Sequence, residues 1–258
     1  MAQDLYARSK GSGATTMVLL HGFGGGCDDW YDIQPDLARD GLVLAYDLPG
    51  HGRSLGQPAA GNASAMAKAI LADLAERGID KVHVTGFSMG GAVACLMGLR
   101  APDRVASLTL LAPGGFGPQI NGPLLGRFAT PANADELRAA MNDMAAPGYA
   151  FETKYVAALA ALRRISGQPE MLEKIAGMIA RDSKQGEIPR ATLASLAMPV
   201  TVVWGTADPV LPYQQSENLP AQFALITMPG AGHMLPVEAR KAVTSAIRQT
   251  VRRAARNA

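Results

Sequence analysis

Short apolar runs rich in β-branched residues alternate with stretches of helical periodicity along most of this chain. Residues 17–20, 42–46, 81–86, 105–111, 200–204 and 223–227 read as strands. They lack strict apolar–polar alternation, as expected where helices cover both faces of a sheet. Residues 32–39, 63–77, 88–100 and 236–253 carry helical spacing. The order β-α-β-α implies a mostly parallel sheet, so the chain predicts an α/β fold with a doubly wound sheet. A further segment, 4–9, reads as an early strand with a hairpin partner.

The alternation stops between 114 and 190. That segment opens with Pro113, Gly114, Gly115 and Gly117, and then shows helical patterns near 135–144, 151–165 and 170–181 without a convincing strand. It is read as a helical insertion over the sheet edge where ligands bind. Residues 1–113 and 191–258 are then the core, and 114–190 a cap. Apolar residues of the cap (Leu124, Leu125, Phe128, Met141, Met144, Tyr149, Phe151 and Tyr155) are candidates to line a pocket.

Composition changes this picture little. Of 258 residues, 48% are hydrophobic and 18% charged, which suits a large packed core. A net charge of +2 makes no strong field, so neither nucleic acid nor an anionic membrane is expected as a partner. The basic residues Arg248, Arg252, Arg253 and Arg256 read as a solvated helix end. Cys27 and Cys95 have neither metal-site nor disulfide spacing and are expected to stay reduced. Residues 1–10 lack the apolar centre of a secretory signal, and no uninterrupted apolar run is long enough to span a bilayer. These features predict a cytoplasmic location.

The chemistry is concentrated in one turn. The run 82–87 ends in Gly86-Phe87-Ser88-Met89-Gly90, and a helical stretch follows. Gly-x-Ser-x-Gly between strand and helix is the pattern of a nucleophile elbow. Such a turn strains the serine backbone, and Gly86 and Gly90 let neighbouring backbone pass without a Cβ. The hydroxyl points into open space at a helix N-terminus, where developing negative charge is favoured.

A serine hydroxyl needs a base, and the base an orienting acid. Four histidines compete for the first role. His83 lies within the strand before the elbow, His51 in a turn, and His21 at a strand end where an anchoring role fits. His233, in Gly230-Ala231-Gly232-His233 between the last strand and the last helix, reaches the carboxyl edge of the sheet where the elbow opens. It is assigned as the base. Asp208, in Trp204-Gly205-Thr206-Ala207-Asp208-Pro209, follows a strand end and is assigned as the acid. The other place for an acid, the loop 112–117, has none. Two backbone N–H groups should hold an oxyanion: that of Met89, and that of Phe23 in the glycine-rich loop after residue 20. Losing one such donor costs roughly 3–4 kcal/mol of barrier.

The segments His21-Gly22-Phe23-Gly24-Gly25, Asp47-Leu48-Pro49-Gly50-His51-Gly52-Arg53-Ser54, Gly86-Phe87-Ser88-Met89-Gly90-Gly91, 204–208 and 230–233 together resemble the α/β-hydrolase superfamily over nearly the whole chain. The resemblance implies Ser88 as nucleophile, His233 as base, Asp208 as its partner, Phe23 and Met89 as oxyanion donors, and a structural role for the 47–54 turn. It implies a small acyl compound as substrate, and no cofactor or metal. The expected activity is cleavage of a small carboxylic ester through an acyl-enzyme. The alternatives are carbon–carbon bond hydrolysis of ring-cleavage diketones, marked by cap cations such as Arg127, Arg163 or Arg164 aimed at the site, and a non-hydrolytic small-molecule receptor. The region 204–233 is also similar to the hydrolase-like portion of bacterial acetoin-cleaving acyltransferase components.

Overall fold

The computed structural model describes residues 5–256. Its strands are β1 Ala7–Lys10, β2 Thr16–Leu20, β3 Leu42–Tyr46, β4 Val82–Phe87, β5 Val105–Leu111, β6 Val200–Gly205 and β7 Ala224–Met228. They form one seven-stranded sheet in the order β1-β3-β2-β4-β5-β6-β7. Every pairing is parallel except that of β1 with β3. The interior strands β2 and β6 are buried at every position, which is why they carry no polar alternation. The edge strand β7 does alternate between half-buried and exposed residues.

The early strand differs from expectation. It runs over 7–10, and its partner is β3 rather than a hairpin neighbour. Both sides of β2 are taken by β3 and β4, so the first strand can add only at the margin. Asp4, where the expected segment began, lies outside the described residues.

The helices of the core are α1 Gln34–Leu37, α2 Ala63–Glu76 and α3 Met89–Arg100. Between β5 and β6 come α4 Gly122–Ala129, α5 Ala134–Met144, α6 Thr153–Arg163, α7 Gln168–Ile179 and α8 Arg190–Ala194, and after β7 come α9 Leu235–Glu238 and α10 Arg240–Arg256. Helices α2 and α3 pack together, as do α1 and α10, and the two pairs cover the sheet. The helix expected over 32–39 is reduced to the single turn α1, and a 3-10 turn at Cys27–Trp30 precedes it. Pro35 stands at the start of α1, and Asp40-Gly41 leads directly into β3. The helix expected over 236–253 is interrupted at Ala239, with φ −125° and ψ 31°. The basic tail is docked as well as solvated. Arg248 pairs with Asp40 at 2.6 Å, and Arg253 reaches the Thr201 hydroxyl at 3.2 Å. Cys27 and Cys95 are buried and unbridged. Among the described residues no helix is long and apolar enough to cross a membrane.

One contact fixes how closely α3 approaches the sheet. A Cβ on Gly90 would lie 2.4 Å from the Leu20 carbonyl oxygen and 2.5 Å from that of His21. Both atoms are backbone and have nowhere to go. Gly126, inside α4, has open space around it. Gly90→Ala should therefore lower unfolding stability by about 1–3 kcal/mol or more. Gly126→Ala should raise it by up to about 1 kcal/mol through reduced chain entropy. Urea denaturation of the two variants checks both signs.

Candidate active site

Strand β4 delivers the chain to Ser88, whose backbone sits at φ 52° and ψ −116°. A non-glycine residue there is strained by about 1–3 kcal/mol and persists only where its surroundings over-determine it. They do so here. The Ser88 N–H donates to the Leu111 carbonyl at 2.9 Å, and the Ser88 carbonyl accepts from the N–H groups of Gly91, Ala92 and Gly114. A Cβ on Gly86 would lie 2.2 Å from the Gly90 carbonyl oxygen, so the turn closes only over glycine.

Three side chains far apart in sequence meet at this point. His233 Nε2 lies 3.0 Å from Ser88 Oγ. On the other side of the ring, His233 Nδ1 lies 2.7 Å from Asp208 Oδ2. The second carboxylate oxygen of Asp208 accepts from the N–H groups of Val210 and Leu211, each at 2.8 Å. With one oxygen held by backbone and the other on the imidazole, Asp208 fixes the ring's tilt and places the Nδ1 proton. All three are buried, Ser88 at 9% exposure.

The loop carrying Phe23 is held by the two other buried imidazoles. His21 Nε2 accepts from the Leu48 N–H at 2.9 Å while Nδ1 faces the Gly22 carbonyl at 2.6 Å. His51 Nε2 accepts from the Gly24 N–H at 3.1 Å. An accepting nitrogen must be unprotonated, and burial pushes His21 down from 6.5 to about 4 and His51 down to about 3. Asp47 completes the anchor, accepting from the N–H groups of Cys27 and Arg53. Phe23 lies beside Ser88 on the wall of the cavity, and Met89 begins α3 immediately after it. His83 is elsewhere, bonded to the Ser107 hydroxyl at 2.8 Å.

Several residues that hold the site were not singled out by sequence reasoning. Glu238 accepts from the N–H groups of Gly232 and Met234, which flank His233, at 2.9 and 2.7 Å, and from Ala146 of the insertion at 2.8 Å. The His233 N–H itself donates to the Met144 carbonyl at 2.8 Å. The histidine loop is thus clasped to the end of α5, so closely that a Cβ on Gly232 would lie 2.4 Å from the Ala145 carbonyl carbon. The signal was present as a glutamate five residues after the histidine, but only the fold reveals which N–H groups it meets. Asp29 is another such residue. It is buried, its carboxyl is pushed up to about 7 by burial, and the Tyr155 hydroxyl donates to it at 3.1 Å.

Of the expected cap residues, Leu125, Phe128, Met144 and Tyr155 line a small cavity at Ser88. Tyr149 and Phe151 line an outer cleft instead, and Leu124 and Met141 are packed within the insertion. The three cap cations do not line the Ser88 cavities. Arg127 pairs with Asp143 at the surface, and Arg164 is exposed. Arg163 is buried and spends its guanidinium on the carbonyls of Phe128, Gly24 and Leu159.

The model of the α/β-hydrolase fold family matches residues 15–239. This chain belongs to the α/β-hydrolase fold family. Among curated relatives of this α/β hydrolase is the dihydrolipoyllysine-residue acetyltransferase component of the acetoin cleaving system of Pseudomonas putida. It is 36% identical over 90% of this chain and 62% of its own length. The chain thus spans less than two thirds of that relative. The 2-hydroxy-6-oxononadienedioate/2-hydroxy-6-oxononatrienedioate hydrolase of Cupriavidus pinatubonensis is 29% identical, over 81% of this chain and 75% of its own. Solved structures with the same fold include a meta-cleavage product hydrolase from Pseudomonas fluorescens, with TM-score 0.84, 18% identity and coverage of 97% and 94%. A thermophilic esterase from Thermogutta terrifontis has TM-score 0.78, 22% identity and coverage of 97% and 93%.

Two outcomes follow from this geometry. Glu238→Ala removes a charged acceptor from three half-buried N–H groups. It should destabilise the protein by about 1–3 kcal/mol, and Glu238→Gln, which keeps one acceptor oxygen, by less; thermal denaturation measures both. The pH dependence comes from His21 and His51. In the unfolded chain each protonates near 6.5, whereas in the folded protein each resists until about 4 or 3. Stability contributed by the neutral rings is therefore complete above pH 6.5 and drains away as pH falls below it, on the order of 1 kcal/mol per pH unit for each ring. His51→Gln should show a shallower fall in Tm than the wild type between pH 6.5 and 4.

Proposed function

We propose that this α/β hydrolase is a serine-dependent ester hydrolase that works through an acyl-enzyme on Ser88. The observation that carries this reading is the chain of short contacts from Asp208 through His233 to the Ser88 hydroxyl, at 2.7 and 3.0 Å. His233 takes the hydroxyl proton as Ser88 attacks the ester carbonyl. The N–H groups of Phe23 and Met89 hold the resulting oxyanion. The tetrahedral species collapses, His233 protonates the departing alcohol, and the acyl group remains on Ser88. Water then attacks, giving its proton to His233, and the acid leaves as that proton returns to Ser88. The insertion 114–190 serves as a cap whose apolar side chains exclude water from the acyl group.

Carbon–carbon cleavage of a diketone acid, suggested by the names of several relatives, could use the same three residues. It finds less support here because the cap cations expected to meet an anionic substrate are committed to Asp143, to backbone carbonyls or to solvent. A receptor without turnover would have no need of an aligned base and acid.

A serine-directed fluorophosphonate should label the protein on Ser88. Ser88→Ala and His233→Ala should each lower turnover of methyl octanoate by roughly 10³-fold or more, with folding intact by circular dichroism. Retention of most of the activity in either variant would refute the assignment.

A further inference from the structure

Ser88 stands between two cavities of unequal size. One, of about 20 Å³, is walled by Ser88 and His233 together with Asp29, Tyr155 and Met144. The other, of about 410 Å³, is walled by Ser88, Phe23 and Met89 and by apolar side chains such as Leu96, Ile120 and Ile179. His233 borders the small cavity and not the large one.

That asymmetry decides which part of an ester goes where. The alkoxide that leaves the acyl carbon must take its proton from His233 Nε2, so its oxygen must lie within hydrogen-bond reach of that nitrogen. It therefore occupies the small cavity, and the acyl chain takes the large one. Running the same geometry backwards, water stands in the small cavity during the second step. A space of this size takes about one water, or the oxygen and first carbon of an alcohol. Behind it, the Tyr155 hydroxyl donates to Asp29 at 3.1 Å. These two side chains also border an outer cleft of about 700 Å³. They form a partition between the cleft and the leaving-group space.

Resting on the acyl-enzyme reading above, we propose that the substrates are methyl esters of bulky apolar acids, and that the Asp29–Tyr155 partition sets the limit on the alcohol. Ser88 Oγ bonds to the carbonyl carbon, and its proton passes through His233 to the methoxy oxygen as the carbonyl–methoxy bond breaks, releasing methanol. Water then adds to the acyl carbon, the bond to Oγ breaks, and the proton returns to Oγ, releasing the acid.

The test compares kcat/KM for methyl and butyl octanoate, followed by acid release in a pH-stat. The wild type should favour the methyl ester by roughly 10- to 100-fold, as extra methylenes meet a wall. Tyr155→Ala joins the space to the cleft and should bring the two esters within about threefold, and Asp29→Ala should move the ratio the same way. Tyr155→Phe keeps the ring and should keep the preference. Each ratio is internal to one variant, so it does not depend on how much of that variant folds. A wild type indifferent to the alcohol, or a preference unmoved by both Tyr155→Ala and Asp29→Ala, would overturn the proposal. Fluorophosphonate labelling of Ser88 in the same samples separates the two ideas. Labelling without a size preference sinks only the present inference, whereas an unlabelled wild type with an active Ser88→Ala sinks the acyl-enzyme reading beneath it.

Discussion

A serine forced to φ 52° between a strand and a helix is the constraint on which the rest of this structure rests. The turn that imposes it can close only because Gly86 and Gly90 carry no side chain where they pass backbone of α3 and β2. Once closed, it aims one hydroxyl out over the carboxyl edge of the sheet. The strain is held by four backbone hydrogen bonds, from the Ser88 N–H to Leu111 and to the Ser88 carbonyl from Gly91, Ala92 and Gly114. Backbone of α3 and of the end of β5 thus positions the hydroxyl without help from any side chain.

The partners reach it through loops, and loops are held here by buried polar side chains that bond to backbone. Asp208 turns one oxygen to Val210 and Leu211 and the other to His233. His21, His51 and Asp47 bind the N–H groups of Leu48, Gly24, Cys27 and Arg53. The buried Arg163 and the half-buried Glu238 tie the segment 114–190 to these loops, one through the carbonyls of Gly24 and Phe128 and the other through the N–H groups of Gly232, Met234 and Ala146. A buried group of this kind is costly unless its bonds are made. Movement of the insertion is therefore coupled to the loops of Phe23 and His233, not only to the mouth of the cavity.

The segment 114–190 borders Ser88 on two sides. Leu125 borders both cavities, while Met144 and Tyr155 confine the side that His233 faces. Met178, Ile179 and Ile188 widen the other side. On the acyl-enzyme reading proposed above, acyl group and alcohol would therefore meet different residues of one segment.

Local pattern was enough to determine the strands, the parallel order and the elbow, because buried parallel strands and a Gly-x-Ser-x-Gly turn follow from side-chain size and backbone sterics within a few residues. Elimination among four histidines also led to the residue that now stands 3.0 Å from Ser88. The pairing of β1 with β3, the break at Ala239 and the placement of Arg163 were settled otherwise. The first and the last depend on which distant backbone groups lie within hydrogen-bond reach. For the same reason Asp29 and Glu238 could not be told from surface carboxylates until the chain was folded: their neighbours Tyr155 and Ala146 come from the insertion, 126 and 92 residues away. Sequence spacing reports which residues can share a strand or a helix face; only packing in three dimensions decides which buried polar groups meet.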